Sequence, residues 1–146
     1  MMAVDSNVLI DFIGNDSGAA DSAHEALRRA LRSGPVVVCD VVVAELVTGL
    51  GSGSVVIDAL EELGIDFAPL EQRSAVRAGE MQRRYRERRA AEQRRSGLPH
   101  ATPPRVVADF MIGAHALLQC QGLITRDAGF FRDYFKGLKV VIPKTA

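Results

Sequence analysis

Short apolar runs alternate along the chain with longer stretches in which apolar residues recur every three or four positions. The short runs predict buried strands at 2–4, 36–38, 65–70, 123–125 and 139–142. The longer stretches predict helices at 8–13, 19–33, 41–50, 55–63, 71–95, 105–121 and 128–135, with Asp40 as the N-cap of the third. Strands that alternate with helices favour a single α/β domain over residues 1–146, in three α/β/α layers around a central, mainly parallel sheet.

Composition narrows the class of protein without indicating its function. The 146 residues are 47% apolar and 25% charged, which is typical of one globular domain rather than a disordered or coiled-coil chain. Eighteen basic and eighteen acidic residues cancel, so no overall field draws the molecule to nucleic acid or to a membrane. Any surface that binds anions must therefore be local.

Cysteine usage and the N-terminus bear on cellular location. Cys39 and Cys120 lie in apolar surroundings without the spacing of a zinc site, which favours a reducing cytoplasm. No stretch approaches the roughly twenty unbroken apolar residues of a membrane span, and Asp5 interrupts the N-terminal run where a secretory signal is apolar. We therefore expect a cytoplasmic protein without membrane contact.

Four acidic residues stand where the apolar pattern predicts burial or the end of a strand: Asp5, Glu45, Asp109 and Asp127. Asp5 and Asp127 follow predicted strands, and parallel α/β sheets bind their ligands at the carboxyl ends of strands. Glu45 and Asp109 interrupt helices that otherwise have the pattern of core. Because a lone buried charge costs on the order of several kcal/mol, each acid needs a partner.

Each acid also has a simpler interpretation. Asp5 and Asp127 could cap the helices that follow them, a common use of aspartate. Glu45 could pair with an arginine, and Asp109 could cap or bridge on the solvent side of its helix. The case for a shared site therefore depends on the combination of the four acids.

Carboxylates brought together repel one another unless a cation shares the site. Oxygen ligands without histidine or cysteine select Mg²⁺ or Mn²⁺ over Zn²⁺. One or two such ions can activate a water and stabilise the charge that develops on a phosphodiester. The hydroxyls of Ser6 and Thr125 stand beside the acids, where they either orient a carboxylate or a bound water or simply end strands.

Four segments that contain these acids occur in order along the chain: Val4–Asp11, Ala44–Leu46, Ala108–Ala116 and Thr125–Phe131. They resemble the ordered motifs of PIN-domain ribonucleases. Within that family, the chain length and the residues of the motifs are most similar to those of the VapC toxins of toxin–antitoxin pairs. The resemblance spans almost the whole chain, from Val4 to Pro143, and four short motifs in order form a specific signal.

The resemblance implies a PIN fold with an acidic metal site and supporting side chains. The implied ligands are Asp5, Glu45, Asp109 and Asp127. The implied supporting residues are Thr125, Ser6 and Asn7. The resemblance further implies a homodimer and inhibition by a cognate VapB antitoxin whose tail enters the site. DNA is then contacted only through the antitoxin complex.

Positive charge is concentrated between Arg73 and Arg105, where ten arginines face three glutamates. Arginine pairs well with phosphate and a tyrosine can stack on a base, which suits single-stranded or looped RNA. The predicted RNA contacts are Arg84, Tyr85, Arg88 and Arg89. A solvated helix face with ion pairs between successive turns explains the same pattern equally well.

These features together favour a Mg²⁺- or Mn²⁺-dependent endoribonuclease that acts as the toxin of a toxin–antitoxin pair. Two other classes of protein stay open. The fold could serve as a non-catalytic binding or regulatory module whose acids hold a structural cation or none. Asp5 could also be the nucleophile of a phosphatase or phospho-acceptor domain, although Asn7 stands where the dehalogenase-type version needs a second acid.

Overall fold

The computed structural model describes residues 1–14 and 17–144, which form five strands and seven helices. The strands are β1 (Met2–Val4), β2 (Val36–Val38), β3 (Asp66–Phe67), β4 (Gly122–Ile124) and β5 (Lys139–Val141). The helices are α1 (Ser6–Ile13), α2 (Ser17–Ser33), α3 (Asp40–Leu50), α4 (Gly53–Leu63), α5 (Gln72–Ser96), α6 (Val107–Gln119) and α7 (Ala128–Tyr134). Within the described ranges, no helix combines the length and the apolar character that crossing a bilayer requires.

All five described strands run parallel in one sheet, in the order β3-β2-β1-β4-β5. The predicted three-layer α/β/α fold with a central parallel sheet is confirmed. The chain first adds strands on one side of β1 and then, after α5 and α6, on the other side. Because connections between parallel strands are right-handed, this reversal places the later helices on the opposite face. It also opens a crevice between the carboxyl ends of β1 and β4.

Packing between the later helices depends on a cluster of aromatic rings. Phe110 of α6 lies between Tyr85 of α5 and Phe130 of α7, at centroid distances of 5.4 and 5.1 Å. Gly113, one turn further along α6, lets Phe135 approach the helix backbone. A Cβ at this glycine would lie 2.3 Å from Phe135 Cε2, so no other residue fits without displacing the ring. The cluster therefore fixes the position of α6 against the helices on either side.

The start of α3 differs from the prediction. Asp40 is not the N-cap: Cys39 takes that position, and Asp40 is the first residue of the helix. Its carboxylate instead accepts the backbone N–H of Leu70 at 3.3 Å. This contact links the helix to the chain after β3, a long-range use of an aspartate that local capping rules do not anticipate.

Two other predicted elements are shorter than expected. The strand predicted at 65–70 covers only Asp66–Phe67, since Pro69 has no N–H with which to continue the ladder. The helix predicted from 105 begins at Val107. Val106, the N-cap, is still extended.

Candidate functional site

Polar side chains gather at the crevice between β1 and β4. Asp5 directly follows β1 and Thr125 directly follows β4, and the Asp5 N–H donates to the carbonyl of Ile124 at 2.9 Å. Glu45, in the middle of α3, and Asp109, in the first turn of α6, lie close enough to repel the Asp5 carboxylate. The fold thus brings three of the four predicted acids to one point, and Asp5 is only 6% exposed.

Two hydroxyls orient the carboxylates. Thr125 Oγ1 donates to Asp5 Oδ2 at 2.8 Å. Ser6 Oγ lies 2.9 Å from Glu45 Oε1 and 3.4 Å from Asp5 Oδ1, and its single proton is best placed for the shorter contact. Ser6 therefore connects the start of α1 to α3, and Thr125 connects β4 to Asp5. Each hydroxyl contacts a carboxylate, as an orienting role requires, and that role in a functional site stays a prediction.

Asn7 and Thr125 shape the turn after β4. Thr125 Oγ1 accepts the backbone N–H of Asp127 at 3.0 Å and lies 3.4 Å from Asn7 Nδ2. Asn7 Oδ1 accepts the N–H of Arg126 at 3.4 Å. The turn that carries Asp127 is consequently held by side chains from the N-terminal end of the chain.

The electrostatics of the three gathered acids are unfavourable without a cation. Burial raises the pKa of Asp5, and the charge of Asp109 raises it further, whereas the hydrogen bond from Thr125 lowers it. Burial also raises the pKa of Glu45, with Asp5 and Asp109 adding to the shift. The pKa of Asp109 is raised by burial and by Asp127, although Arg105 opposes the rise.

Asp127 stands at the edge of this group and has a different partner. Arg105 donates to both of its carboxylate oxygens, through Nη1 to Oδ2 and through Nη2 to Oδ1 at 3.2 Å. The guanidinium also lies 4.4 Å from the ring centroid of Phe130, and the Arg105 N–H donates to the Tyr85 hydroxyl at 2.8 Å. Arg105 is thus held at three points beside the acids.

Sequence reasoning missed Arg105. Its only local signal is its place one helical turn before Asp109, directly after two prolines. The ion pair with Asp127 spans 22 residues and cannot be read from that spacing.

The simpler interpretations of the acids can now be tested. Asp5 and Asp127 occupy N-cap positions, but neither side chain accepts a capping hydrogen bond. Glu45 has no arginine partner among residues 1–14 and 17–144 and is held by Ser6 instead. Asp127 does pair with an arginine, so its charge is compensated within the protein.

The donor set suits a hard divalent cation. In the part of the chain that the structure describes, no three histidine, cysteine, aspartate or glutamate side chains are grouped to hold a metal ion as they stand. Mg²⁺ needs fewer, because it keeps several waters and takes only one or two carboxylates. Asp5 with Asp109 or Glu45 supplies oxygen ligands of that kind, and a shared cation would offset the repulsion that adds to the effect of burial on the pKa of Asp5 and Glu45.

The predicted RNA contacts on α5 are not equally accessible. Tyr85 is buried, at 9% exposure, so its ring is not free to stack on a base and that expectation is wrong. Arg88 pairs with Asp133 at 2.8 Å, and Arg89 donates to the carbonyl of Thr102 at 3.0 Å. Arg84 is exposed. RNA binding by these arginines stays a prediction.

A parallel α/β/α domain with acids at the point where strand order reverses is typical of enzymes that bind ligands at the sheet edge. The sequence matches the PIN domain family over residues 2–136, and the chain belongs to that family. A comparison with curated proteins gives no match.

Solved toxin–antitoxin complexes share the fold. The chain is similar to VapBC2 from Rickettsia felis bound to a promoter DNA fragment, with a TM-score of 0.64, 17% identity and 98% of each chain covered. A toxin–antitoxin complex from Klebsiella pneumoniae gives a TM-score of 0.61 and 20% identity over 100% of each chain. FitAB bound to an IR36 DNA fragment gives a TM-score of 0.68 and 17% identity, and the match covers 98% of this chain and 95% of that chain. At these identities the likeness concerns the fold.

Proposed function

We propose that the protein is a Mg²⁺- or Mn²⁺-dependent endoribonuclease whose site is formed by Asp5, Glu45 and Asp109, with Asp127 at its edge. The observation that carries the proposal is the set of three carboxylates at the crevice: burial raises the pKa of each, and neighbouring carboxylates add to every rise. Such a set is costly to maintain unless a cation shares it. Membership of the PIN domain family, whose members are nucleases, supports phosphodiester hydrolysis.

A bound divalent cation would supply charge stabilisation on the phosphate and a more acidic water. The side chains of the protein prepare the site for it. Thr125 fixes the orientation of Asp5, and Ser6 fixes that of Glu45, so neither carboxylate has to be ordered when the cation binds. Arg105, held beside Asp127, places a guanidinium of fixed position at the edge of the site, where its N–H groups could donate to phosphate oxygens.

We further propose that the protein is the toxin of a toxin–antitoxin pair. The fold that it shares with VapBC2, FitAB and the Klebsiella pneumoniae complex supports this setting. The proposed partner is a VapB-type antitoxin whose tail enters the acidic site, and the proposed assembly is a homodimer that acts on cytoplasmic RNA. A net charge of zero agrees with DNA being bound through the antitoxin.

A cleavage assay tests the proposed activity. Purified, antitoxin-free wild type and Asp109→Asn are incubated with transfer, ribosomal and single-stranded RNAs and with matched DNAs, in Mg²⁺, Mn²⁺ or EDTA. We expect RNA cleavage by the wild type with either metal, and none in EDTA or with the variant. Products should carry 5′-phosphate and 3′-hydroxyl ends, because the attacking water leaves its oxygen on phosphorus and the 3′-oxygen departs.

Two results would contradict the proposal. If Asp109→Asn cleaves RNA as well as the wild type does, with metal present and no chelator, the acidic site does not take part in the mechanism. No cleavage by the wild type with either metal would favour the binding-module interpretation. Cleavage of DNA but not of RNA would support phosphodiester hydrolysis at this site and show that the substrate is DNA.

A further inference from the structure

A groove of about 820 Å³ runs between α5 and the segment 97–107 and ends beside the acidic site. We propose that this groove binds the phosphate backbone of single-stranded RNA, with Arg86 and Arg89 as phosphate contacts and Arg105 at the end next to Asp127. The inference deepens the proposed nuclease function, on which it depends, by naming the surface that guides the substrate.

The position of Arg105 connects the groove to the acids. Arg105 lines the groove, while its guanidinium pairs with Asp127 and lies near enough to Asp109 to oppose the rise in the pKa of that acid. A chain lying along the groove would therefore pass beside the ion pair of Arg105 and Asp127. The hydrogen bond from Arg105 N–H to the Tyr85 hydroxyl anchors this end of the groove on α5.

Two of the three arginines in the described lining of the groove keep an uncompensated charge. The third, Arg105, is paired with Asp127, and the lining itself includes no carboxylate. Arg86 has no acidic partner within residues 1–14 and 17–144, and Arg89 bonds only to the neutral oxygens of Tyr85 and Thr102, so both keep their net charge. Arg83 on the same helix lies outside the groove and is paired with Glu87 at 3.1 Å. The groove thus contains two arginines whose charge is not paired, whereas the charge of Arg83 outside it is paired.

The remainder of the lining also suits an unpaired strand. Val106 and Val107 are exposed at 59% and 42%, large values for valine, and form an apolar edge at the end near Arg105. Gln82 and Gln93 supply neutral donors and acceptors along α5. Basic grooves with apolar contacts for bases are a general way of binding single strands, whereas a duplex keeps its bases stacked inside.

Fluorescence anisotropy tests the groove apart from catalysis. A labelled single-stranded RNA is titrated with full-length protein in EDTA, over a series of salt concentrations. We expect Arg86→Glu to weaken binding about tenfold at about 0.1 M salt and to reduce the slope of log affinity against log salt by about one. The matched control, Arg83→Glu, makes the same change of charge on the same helix and should alter affinity less than about twofold.

The outcomes separate this inference from the proposed function. Equal effects of Arg86→Glu and Arg83→Glu, or no effect of either, would overturn the groove even if the wild type cuts RNA. Arg86→Gln and Arg83→Gln repeat the comparison should a reversed charge unfold the chain, which circular dichroism detects. Binding that depends on Arg86 without any cleavage would support the groove and contradict the nuclease. Arg86-dependent binding of a polyglutamate peptide but not of RNA would assign the groove to a protein partner instead.

Discussion

Thr125 Oγ1 donates to Asp5 Oδ2 at 2.8 Å and at the same time accepts the N–H of Asp127 at 3.0 Å. One buried hydroxyl therefore serves two acids that lie at opposite ends of the chain. Its removal leaves a carboxylate without its donor and a backbone N–H without its acceptor, and both defects lie at the carboxyl end of the sheet.

We expect Thr125→Val to lower the free energy of unfolding by about 1–3 kcal/mol, the usual cost of leaving a buried polar group unsatisfied. Thr125→Ser retains the hydroxyl and should lower the free energy of unfolding by less. Urea unfolding of both variants in EDTA measures the difference. A loss of stability in Thr125→Ser but not in Thr125→Val, which retains the methyl group, would show that the methyl group and not the hydrogen bond provides the stabilisation.

Asp109→Asn should stabilise the metal-free protein. Because the pKa of Asp109 is raised in the fold, its ionised form is destabilising at neutral pH, and a neutral amide removes that penalty. We expect the Tm in EDTA to rise by about 2–4 °C for each kcal/mol relieved, and the increase in Tm on adding Mg²⁺ to become smaller.

Asp58→Asn is the matched control for this prediction, since Asp58 is an exposed acid on α4. Asp58→Asn should change neither the Tm in EDTA nor the increase in Tm on adding Mg²⁺. A lower Tm for Asp109→Asn in EDTA would mean that the carboxylate stabilises the fold, which is the opposite of what its surroundings predict.

Acidification should weaken metal binding. The fold raises the pKa of Asp5, Glu45 and Asp109 above their ordinary values of 3.8 to 4.5. As the pH falls, protons therefore begin to compete with the cation at a higher pH than they would for exposed carboxylates. Isothermal titration with Mn²⁺ from about pH 8 to about pH 5.5 should show a rising Kd.

The stability of the metal-free protein should change with pH in the opposite direction to metal binding. A group with a raised folded pKa destabilises the fold above that pKa, so these acids alone should make the free energy of unfolding in EDTA increase as the pH falls toward their ordinary values. A Kd that is independent of pH would exclude these carboxylates as ligands.

Gly113→Ala should destabilise the protein by about 1–3 kcal/mol, because the added Cβ collides with the ring of Phe135 in a packed core. Gly79→Ala on α5 is the control. No heavy atom lies within 4 Å of the Cβ built there, so the same substitution should stabilise the helix by about 0.5–1 kcal/mol. Thermal unfolding distinguishes the two, and similar effects of both changes would refute the packing argument.

Much of the fold is predictable from the sequence because periodicity reports burial. The buried run at 36–38 forms β2 at the predicted residues, and the alternation of strands with helices gives the parallel sheet. Asp5 and Asp127 were identifiable as site candidates since both follow apolar strands. Glu45 and Asp109 stood out as charges in otherwise apolar helices.

Other features depend on contacts between distant residues that no local pattern encodes. Tyr85 lies among arginines in α5 and looks exposed, yet it is buried against Phe110. The reason is that α5 buries only a narrow stripe, and the tyrosine falls on it. The pairing of Arg105 with Asp127 likewise becomes visible only when the segment before α6 is placed beside β4.

The reversal of strand order has a consequence for synthesis. β4 joins the sheet beside β1, although 120 positions separate the paired residues Ala3 and Leu123. A nascent polypeptide that ends before β4 already contains Asp5, Glu45 and Asp109 but lacks Thr125, which orients the first of them. The acidic crevice is therefore completed only after β4 has been synthesised, so a chain interrupted before β4 lacks the hydroxyl that orients Asp5.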